Sequence, residues 1–357
     1  MPTPEQWLEV RAYLGEHRHT LAIKAAEQYP DTVKVADTPL LTSESWVPAV
    51  PVPLTDLALE LQREGEFHGV VGTGDAAVNV LPEGGCRSYS EAMAELAAPK
   101  VFQNRSTYRL IEADLADKHL TFGIGSYFDG IDVGEACAHE YAARELGHVD
   151  SLRLRAAVGD PCDPKRRPTN VAISTLTIRH DRASGEATFF LHWRDPKRVG
   201  HAGGMYQVLP VGIFQASSDD ERNTENDFSL WRCMIREFAE ELLGASEEHE
   251  SPIDYDGWPF AKRLTDSVGD RVNVSYLGMG VDPLTFATDM LTVAVIEAEL
   301  FDELFGDLVA HNDEGRVLEG LAFTAKNIER FVHREPTQAA GAALLALAWQ
   351  HREALLT

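Results

Sequence analysis

The stretch MIREFAEELLG, Met234 to Gly244, decides how the second half of this chain is read. It sets Arg236, Glu237, Glu240 and Glu241 among Met, Ile, Phe and Leu. Asn226 and Asp227 upstream are good N-cap residues and Gly244 is a natural stop, so the spacing predicts a helix from about Asp227 to Leu243. Phe228, Trp231, Ile235, Phe238 and Leu242 recur at three and four and give that helix an apolar stripe. Glu237, Glu240 and Glu241 fall together on another face, at i, i+3 and i+4, with Arg236 adjoining. Like charges at this spacing cost roughly a few tenths of a kcal/mol per pair. Either water and Arg236 absorb that repulsion or a divalent cation does. Clustered hard oxygen donors suit Mg2+ or Mn2+, ions that keep waters and bind substrate phosphates.

The surroundings of the helix are β-rich. VAISTLTIRH (171–180) and ATFFLHWRD (187–195) are β-branched and aromatic runs joined by DRASGE, a hairpin signal. GGMYQVLPVGIFQ (203–215) follows, then the polar run ASSDDERNTEN (216–226), then the acidic helix. RVNVSYLGMGVDPLTFATDMLTVAVIEAEL (271–300) reads as strands around a loop. LEGLAFTAKNIERFV leads into a short helix, and the run after Pro336 is a closing helix.

This order resembles the Nudix family. Its signature is a Gly, five residues, Glu, seven residues, Arg-Glu, an aliphatic, any residue, Glu-Glu, any residue, and Gly. REFAEE, Arg236 to Glu241, matches the Arg-Glu-to-Glu-Glu part, and Gly212 stands as the signature Gly. The resemblance covers roughly residues 166–357. It departs from the pattern in four places. Gly212 and Arg236 are 24 positions apart where the pattern has 14, the extra ten fitting the polar run. Phe228 stands where the first signature Glu belongs, with Asp227 beside it. The final Gly comes one residue late, and the loop reads Pro-Val-Gly in place of Pro-Gly-Gly.

The resemblance implies an αβα sandwich around a mixed sheet. It implies that Glu240 and Glu241 are the main Mg2+ (or Mn2+) ligands, with Glu237 adding a ligand directly or through water and the Gly212 carbonyl a further oxygen. Arg236 would pair with a helix carboxylate and hold it in place. The implied reaction is cleavage of a phosphoanhydride in a nucleoside-diphosphate-type or other organic diphosphate by metal-activated water. The general base is open among Glu237, Asp282 and Asp289. The degraded loop and the missing Glu favour a rival reading, a Nudix-like ligand-binding or regulatory module with little or no hydrolysis. A third is another diphosphate chemistry, such as isomerisation or prenyl diphosphate cleavage.

Residues 1–165 read as a separate mixed α/β domain. EQWLEVRAYLGEHRHTLAIKAAEQYP is helical by spacing, and the proline-rich run after residue 38 is an extended lead-in to a helix capped by Thr55 or Asp56. SYSEAMAELAAPKVF is a short helix ended by Pro99; STYRLIEADLADKHLTFGIGSYFDG is two strands around a turn; DVGEACAHEYAAREL is a helix. VGDPCDPKRRPTN (158–170), with three prolines and a basic cluster, marks the boundary. The whole is therefore expected to be α/β of the α+β kind, its first part shaping the cleft or a homodimer interface.

The formal net charge of −25 argues against nucleic-acid or anionic-membrane partners, which need a basic field. The four cysteines form no close pair. The N-terminus lacks a basic stretch followed by an apolar run, and no run of 18 apolar residues occurs, so a cytoplasmic location is expected. His192 and Arg194, ending a strand, and Arg198 just beyond are candidate substrate contacts, Arg194 as a phosphate fork. Asp282, in the loop GVDPLTFATDM, is another. HEYAAREL lacks the second His of a zinc-protease motif, so His139 is read as structural. GIGSYFDG is a turn between strand and helix, and Arg105, Tyr108 and Arg109 are read as structural pairs.

Overall fold

The computed structural model describes residues 1–63, 67–72, 77–99, 101–194, 203–246, 252–306, 308 and 315–357. The first part runs α1 (Pro4–Ala26), β1 (Val52–Pro53), β2 (Ala58–Leu61), α2 (Tyr89–Leu96), β3 (Ser106–Asp114), β4 (His119–Ser126), α3 (Tyr127–Gly130), α4 (Ala136–Glu145) and α5 (Arg153–Val158). The hairpin β5 (Val171–His180) and β6 (Ala187–Arg194) opens the second part. It is followed by β7 (Tyr206–Val208), β8 (Val211–Ile213), α6 (Glu221–Asn226), α7 (Leu230–Glu237) and α8 (Pro259–Thr265). Then come β9 (Val272–Val281), β10 (Thr288–Glu297), α9 (Ala298–Phe305), β11 (Gly315–Ala322), α10 (Ala325–His333), α11 (Ala339–Gln350) and α12 (Arg352–Leu355).

The larger sheet has the order β1-β9-β10-β5-β6-β11, with β7 added on β6 and β8 on β5. It is mixed. β5 and β10 are parallel and paired over ten residues from Val171–Thr288 to His180–Glu297, while β9 lies antiparallel to β10. Along β5 the side chains alternate between two cores, as a strand must when both its faces are covered. Val171 and Ile173 join Ile235, Phe238, Phe301 and Phe305 from α7, its continuation and α9. Leu176 and Ile178 join Phe331, Leu344, Leu345 and Ala348 from α10 and α11. Helices therefore cover both faces of a mixed sheet. The three-stranded sheet β2-β4-β3 is separate and also mixed, β2 parallel and β3 antiparallel to β4.

The two stretches divided by sequence at residue 165 meet in one core. Trp7, Trp46, Tyr89, Tyr108 and Phe122 belong to the same buried cluster as Phe238 and Phe305. Burying each side chain of that size contributes roughly 1.5–3 kcal/mol. Backbone bonds cross as well. β1 pairs with β9, and Leu41 exchanges two hydrogen bonds with Val281, at 3.0 and 2.8 Å. The Tyr276 hydroxyl donates to the Trp46 carbonyl at 2.6 Å.

Two local expectations are corrected. Residues after Asp56 do not form a helix; Leu54–Asp56 is one tight turn and Ala58–Leu61 is strand β2. The alternation Ala-Leu-Glu-Leu shows only one side to the interior, and parallel pairing with β4 outweighs the helical propensity of Leu and Glu. The polar run before the acidic helix is itself partly helical, as α6, capped by Asp220.

Candidate functional site

The acidic helix starts later and ends differently than its spacing predicts. Its N-cap is Ser229, whose hydroxyl accepts from the Arg232 N–H at 3.3 Å. Beyond Glu237 the helix widens into a π turn, Phe238–Leu242. A π turn takes in one more residue than an α turn, and such bulges concentrate at functional sites. Gly244 follows with φ +66°, the left-handed stop conformation that favours glycine. Gly244 and Ala245 close the helix by donating to Glu240 and Ala239 carbonyls at 3.1 and 3.0 Å. The extra residue in LLG is thus absorbed in the helix itself.

Glu237, Glu240 and Glu241 are all half-buried. Glu237 reaches back to β8, where Gly212 pairs with Ile173 of β5. A methyl group added to Gly212 would lie 1.9 Å from both the carboxyl carbon and Oε1 of Glu237. The glycine therefore leaves the space that the carboxylate fills.

Arg236 faces inward, away from these acids, and is 4% exposed. It donates through Nη1 to the Tyr255 hydroxyl at 2.6 Å and through Nη2 to the Gln215 carbonyl at 2.6 Å. Tyr255 in turn donates to Asp227 at 2.8 Å, and Arg236 stands 3.6 Å from the same carboxylate oxygen. The other oxygen of Asp227 accepts from the Ser217 amide at 2.8 Å and hydroxyl at 2.6 Å. Asp227 is fully buried. The expected pairing with a helix carboxylate is corrected: the carboxylate beside Arg236 is Asp227, in the turn ahead of the helix, and the group is sealed from solvent. Asp227 offered itself in the sequence as an N-cap; nothing there marked Tyr255 as the third member.

The remaining candidates divide between the two faces of the sheet. Phe190 of β6 stacks on Phe301 of α9, and strand alternation puts His192 and Arg194 on that same face, with the acidic helix. His192 is 1% exposed and so offers a ligand almost no surface; Arg194 is half-buried at the strand end. Arg198 lies outside the described residues. Asp289 shares its face with Leu291 and Val293 and so lies under α11. Asp282 and Asp289 line one small cavity there together with Arg18 and His19 of α1. The sequence grouped Asp282 with Arg194 as a substrate contact and with Asp289 in one loop; the structure keeps it beside Asp289, next to α1.

Asp282 closes its own loop, accepting from the Leu284 and Thr285 amides and the Thr285 hydroxyl at 3.0, 2.8 and 2.9 Å. Asp289 accepts from the Ser174 hydroxyl at 2.7 Å. Burial, opposed by that bond and aided by the Asp282 charge, pushes its carboxyl up to about 7. His139 is structural: it stacks on Trp7, bonds the Tyr89 hydroxyl at 3.0 Å, and burial drives it down to about 3. Tyr108 donates to the Thr224 carbonyl, and Arg109 lies over the Phe67 ring.

The helix acids have the donor chemistry of an Mg2+ or Mn2+ site but not its assembly. Among the described residues no three His, Cys, Asp or Glu side chains converge closely enough to hold a metal ion. Nor is any helix there long and apolar enough to cross a membrane. In comparison with known proteins, the chain matches no family model and no curated protein.

Proposed function

We propose that residues 166–357 form a Nudix-like module that binds the Mg2+ or Mn2+ complex of a nucleotide-type or other organic diphosphate and turns it over slowly or not at all. The observation that carries the reading is the contact of Glu237 with Gly212. It joins the acidic helix to the loop glycine at the two positions where the resemblance places metal ligands. Helices on both faces of a mixed sheet are the layer arrangement the resemblance implies.

Charge decides the form of the ligand. Three carboxylates on a chain of net charge −25 repel a bare diphosphate. A diphosphate that arrives with its own divalent ion presents positive charge to Glu240 and Glu241, and Mg2+ bound to phosphates retains waters through which such contacts form. The same residues argue against efficient hydrolysis. The carboxylate nearest the missing signature Glu, Asp227, is buried and held by Tyr255, Ser217 and Arg236, and cannot reach an ion. The earlier hydrolase reading retains Glu237, Asp282 and Asp289 as candidate bases, but Asp289 lies on the far face of the sheet.

Calorimetric titration of the full chain with a nucleoside-diphosphate sugar, with and without Mg2+, tests this. Binding is expected only with Mg2+ present and is expected to weaken at least tenfold, about 1.4 kcal/mol, in Glu240→Gln and Glu241→Gln. Metal-independent binding that both variants leave unchanged overturns the reading.

A further inference from the structure

We propose that the cavity lined by α1, α4 and the segment ahead of α2 is a second binding site, one that takes a small neutral molecule carrying an amide-type carbonyl on a compact apolar body. The cavity has a volume of about 180 Å3 and opens to solvent. Roughly 150 Å3 of such space holds benzene, so the room suits a ligand of about six to eight heavy atoms. Its walls all belong to the first part of the chain, to which the metal-diphosphate reading assigns no chemistry.

The walls decide what the cavity can take. Val10 of α1, Ala143 of α4 and Val149 just beyond are apolar, while Asn79, His139 and His148 are polar. Among the described residues no Asp, Glu, Lys or Arg side chain lines it, and His148 is engaged with Glu9 at 3.3 Å. A charged group entering would exchange water for a wall without a counter-charge, so the occupant is neutral.

Two observations point to its polar contacts. The first is His139, 1% exposed. Its ring stacks on Trp7, and its Nδ1 bonds the Tyr89 hydroxyl at 3.0 Å. Nε2 is the edge left over. It makes no hydrogen bond among the described residues and, unlike Nε2 of His192, it is not shut off from solvent; the opening is the cavity. The neighbours fix the tautomer. The buried ring is neutral near pH 7, its pKa lowered to about 3. The Arg11 guanidinium beside Tyr89 draws the lone pairs of the hydroxyl oxygen toward itself and turns the hydroxyl proton to Nδ1. Nε2 then carries the one ring N–H, a donor that faces the cavity and lacks an acceptor. The second observation is Asn79. It is half-buried, lines the same cavity, and its side-chain amide makes no hydrogen bond among the described residues. An amide sets a donor beside an acceptor and pairs best with a group that does the same. A carbonyl on the His139 N–H, the rest of the amide toward Asn79, and apolar carbons against Val10, Ala143 and Val149 use every wall.

The full chain titrated with the lactam pyrrolidinone, cyclobutanecarboxylate, pyrrolidinium and benzene, followed by NMR or calorimetry, tests the proposal. The lactam is expected to bind saturably at roughly millimolar concentration, and each of the other three at least tenfold more weakly. Asn79→Leu removes the amide at nearly constant volume. Ala143→Leu fills the space without touching a polar group. His139→Phe keeps a ring against Trp7 and removes the N–H. Each is expected to weaken the lactam at least tenfold. Asn79→Leu and Ala143→Leu decide the matter should His139→Phe fail to fold. Absence of saturable lactam binding, binding of benzene or either ion within tenfold of the lactam, or a folded variant that loses less than tenfold overturns it.

Discussion

Two buried charges behave in opposite ways. Arg236 is fully provided for, with Tyr255, Gln215 and Asp227 around it. Removing one partner of such a group leaves the other charged and dry. Arg236→Ala is therefore expected to lower unfolding stability by about 3–5 kcal/mol in denaturant titration, and a loss under about 1 kcal/mol contradicts the burial argument. Among the described residues Asp289 accepts one hydrogen bond, from Ser174, and burial, with the Asp282 charge adding to it, pushes its carboxyl up to about 7, well above the unfolded value. A raised acid binds protons more readily when folded, so its cost is absent below about pH 4 and complete above about pH 7. Stability of the parent relative to Asp289→Asn is expected to fall across that window, by an amount of the order of 4 kcal/mol at most. A flat difference from pH 4 to pH 8 contradicts it. Of these two residues the sequence marked Arg236 by its motif, and it marked Asp289 only as one acid of a loop. The Ser174 partner of Asp289 is 115 positions away, and the Tyr255 and Gln215 partners of Arg236 are 19 and 21 positions away, outside its own helix, so neither environment has a local signature.

At the scale of elements, the acidic helix shows what periodicity can and cannot tell. The apolar stripe was legible: Ile235, Phe238 and Leu242 are all buried. The cap was not, because Asp227 and Ser229 are both good N-caps and only tertiary partners for Asp227 leave Ser229 to do the capping. Ser229→Ala is expected to cost about 1 kcal/mol, measured by thermal or chemical unfolding, and no change contradicts its assignment as the cap. The late glycine was visible as an irregularity, and the π turn is its structural form. Gly212→Ala separates packing from ligand binding. The atoms it meets are the end of the flexible Glu237 side chain, so that carboxylate can move aside. Stability is expected to change by less than about 1 kcal/mol while Mg2+-dependent ligand binding falls, because the acid leaves its place. Unchanged binding separates Gly212 from the site.

At the scale of the whole molecule, strands were legible wherever alternation or β-branching was strong, as in β3, β4, β5, β6, β9 and β10. The division at residue 165 was read from prolines and charge, which mark a surface connection but carry no information about what packs across it. The shared core, the β1–β9 pairing and the Leu41–Val281 bonds make residues 166–357 dependent on the first part. A chain cut to 166–357 is expected to lose cooperative thermal unfolding and to bind hydrophobic dye. A sharp transition at the parent's temperature contradicts this.

The central claim is that the molecule binds a metal-diphosphate complex without efficient turnover. The most direct measurement is calorimetric binding together with release of nucleoside monophosphate from a panel of nucleoside-diphosphate derivatives, with Mg2+ and Mn2+ titrated, in the parent, Glu240→Gln and Glu241→Gln. The account predicts saturable binding with release no faster in the parent than in either variant. Metal-dependent release by the parent that both substitutions abolish would contradict it and establish a hydrolase.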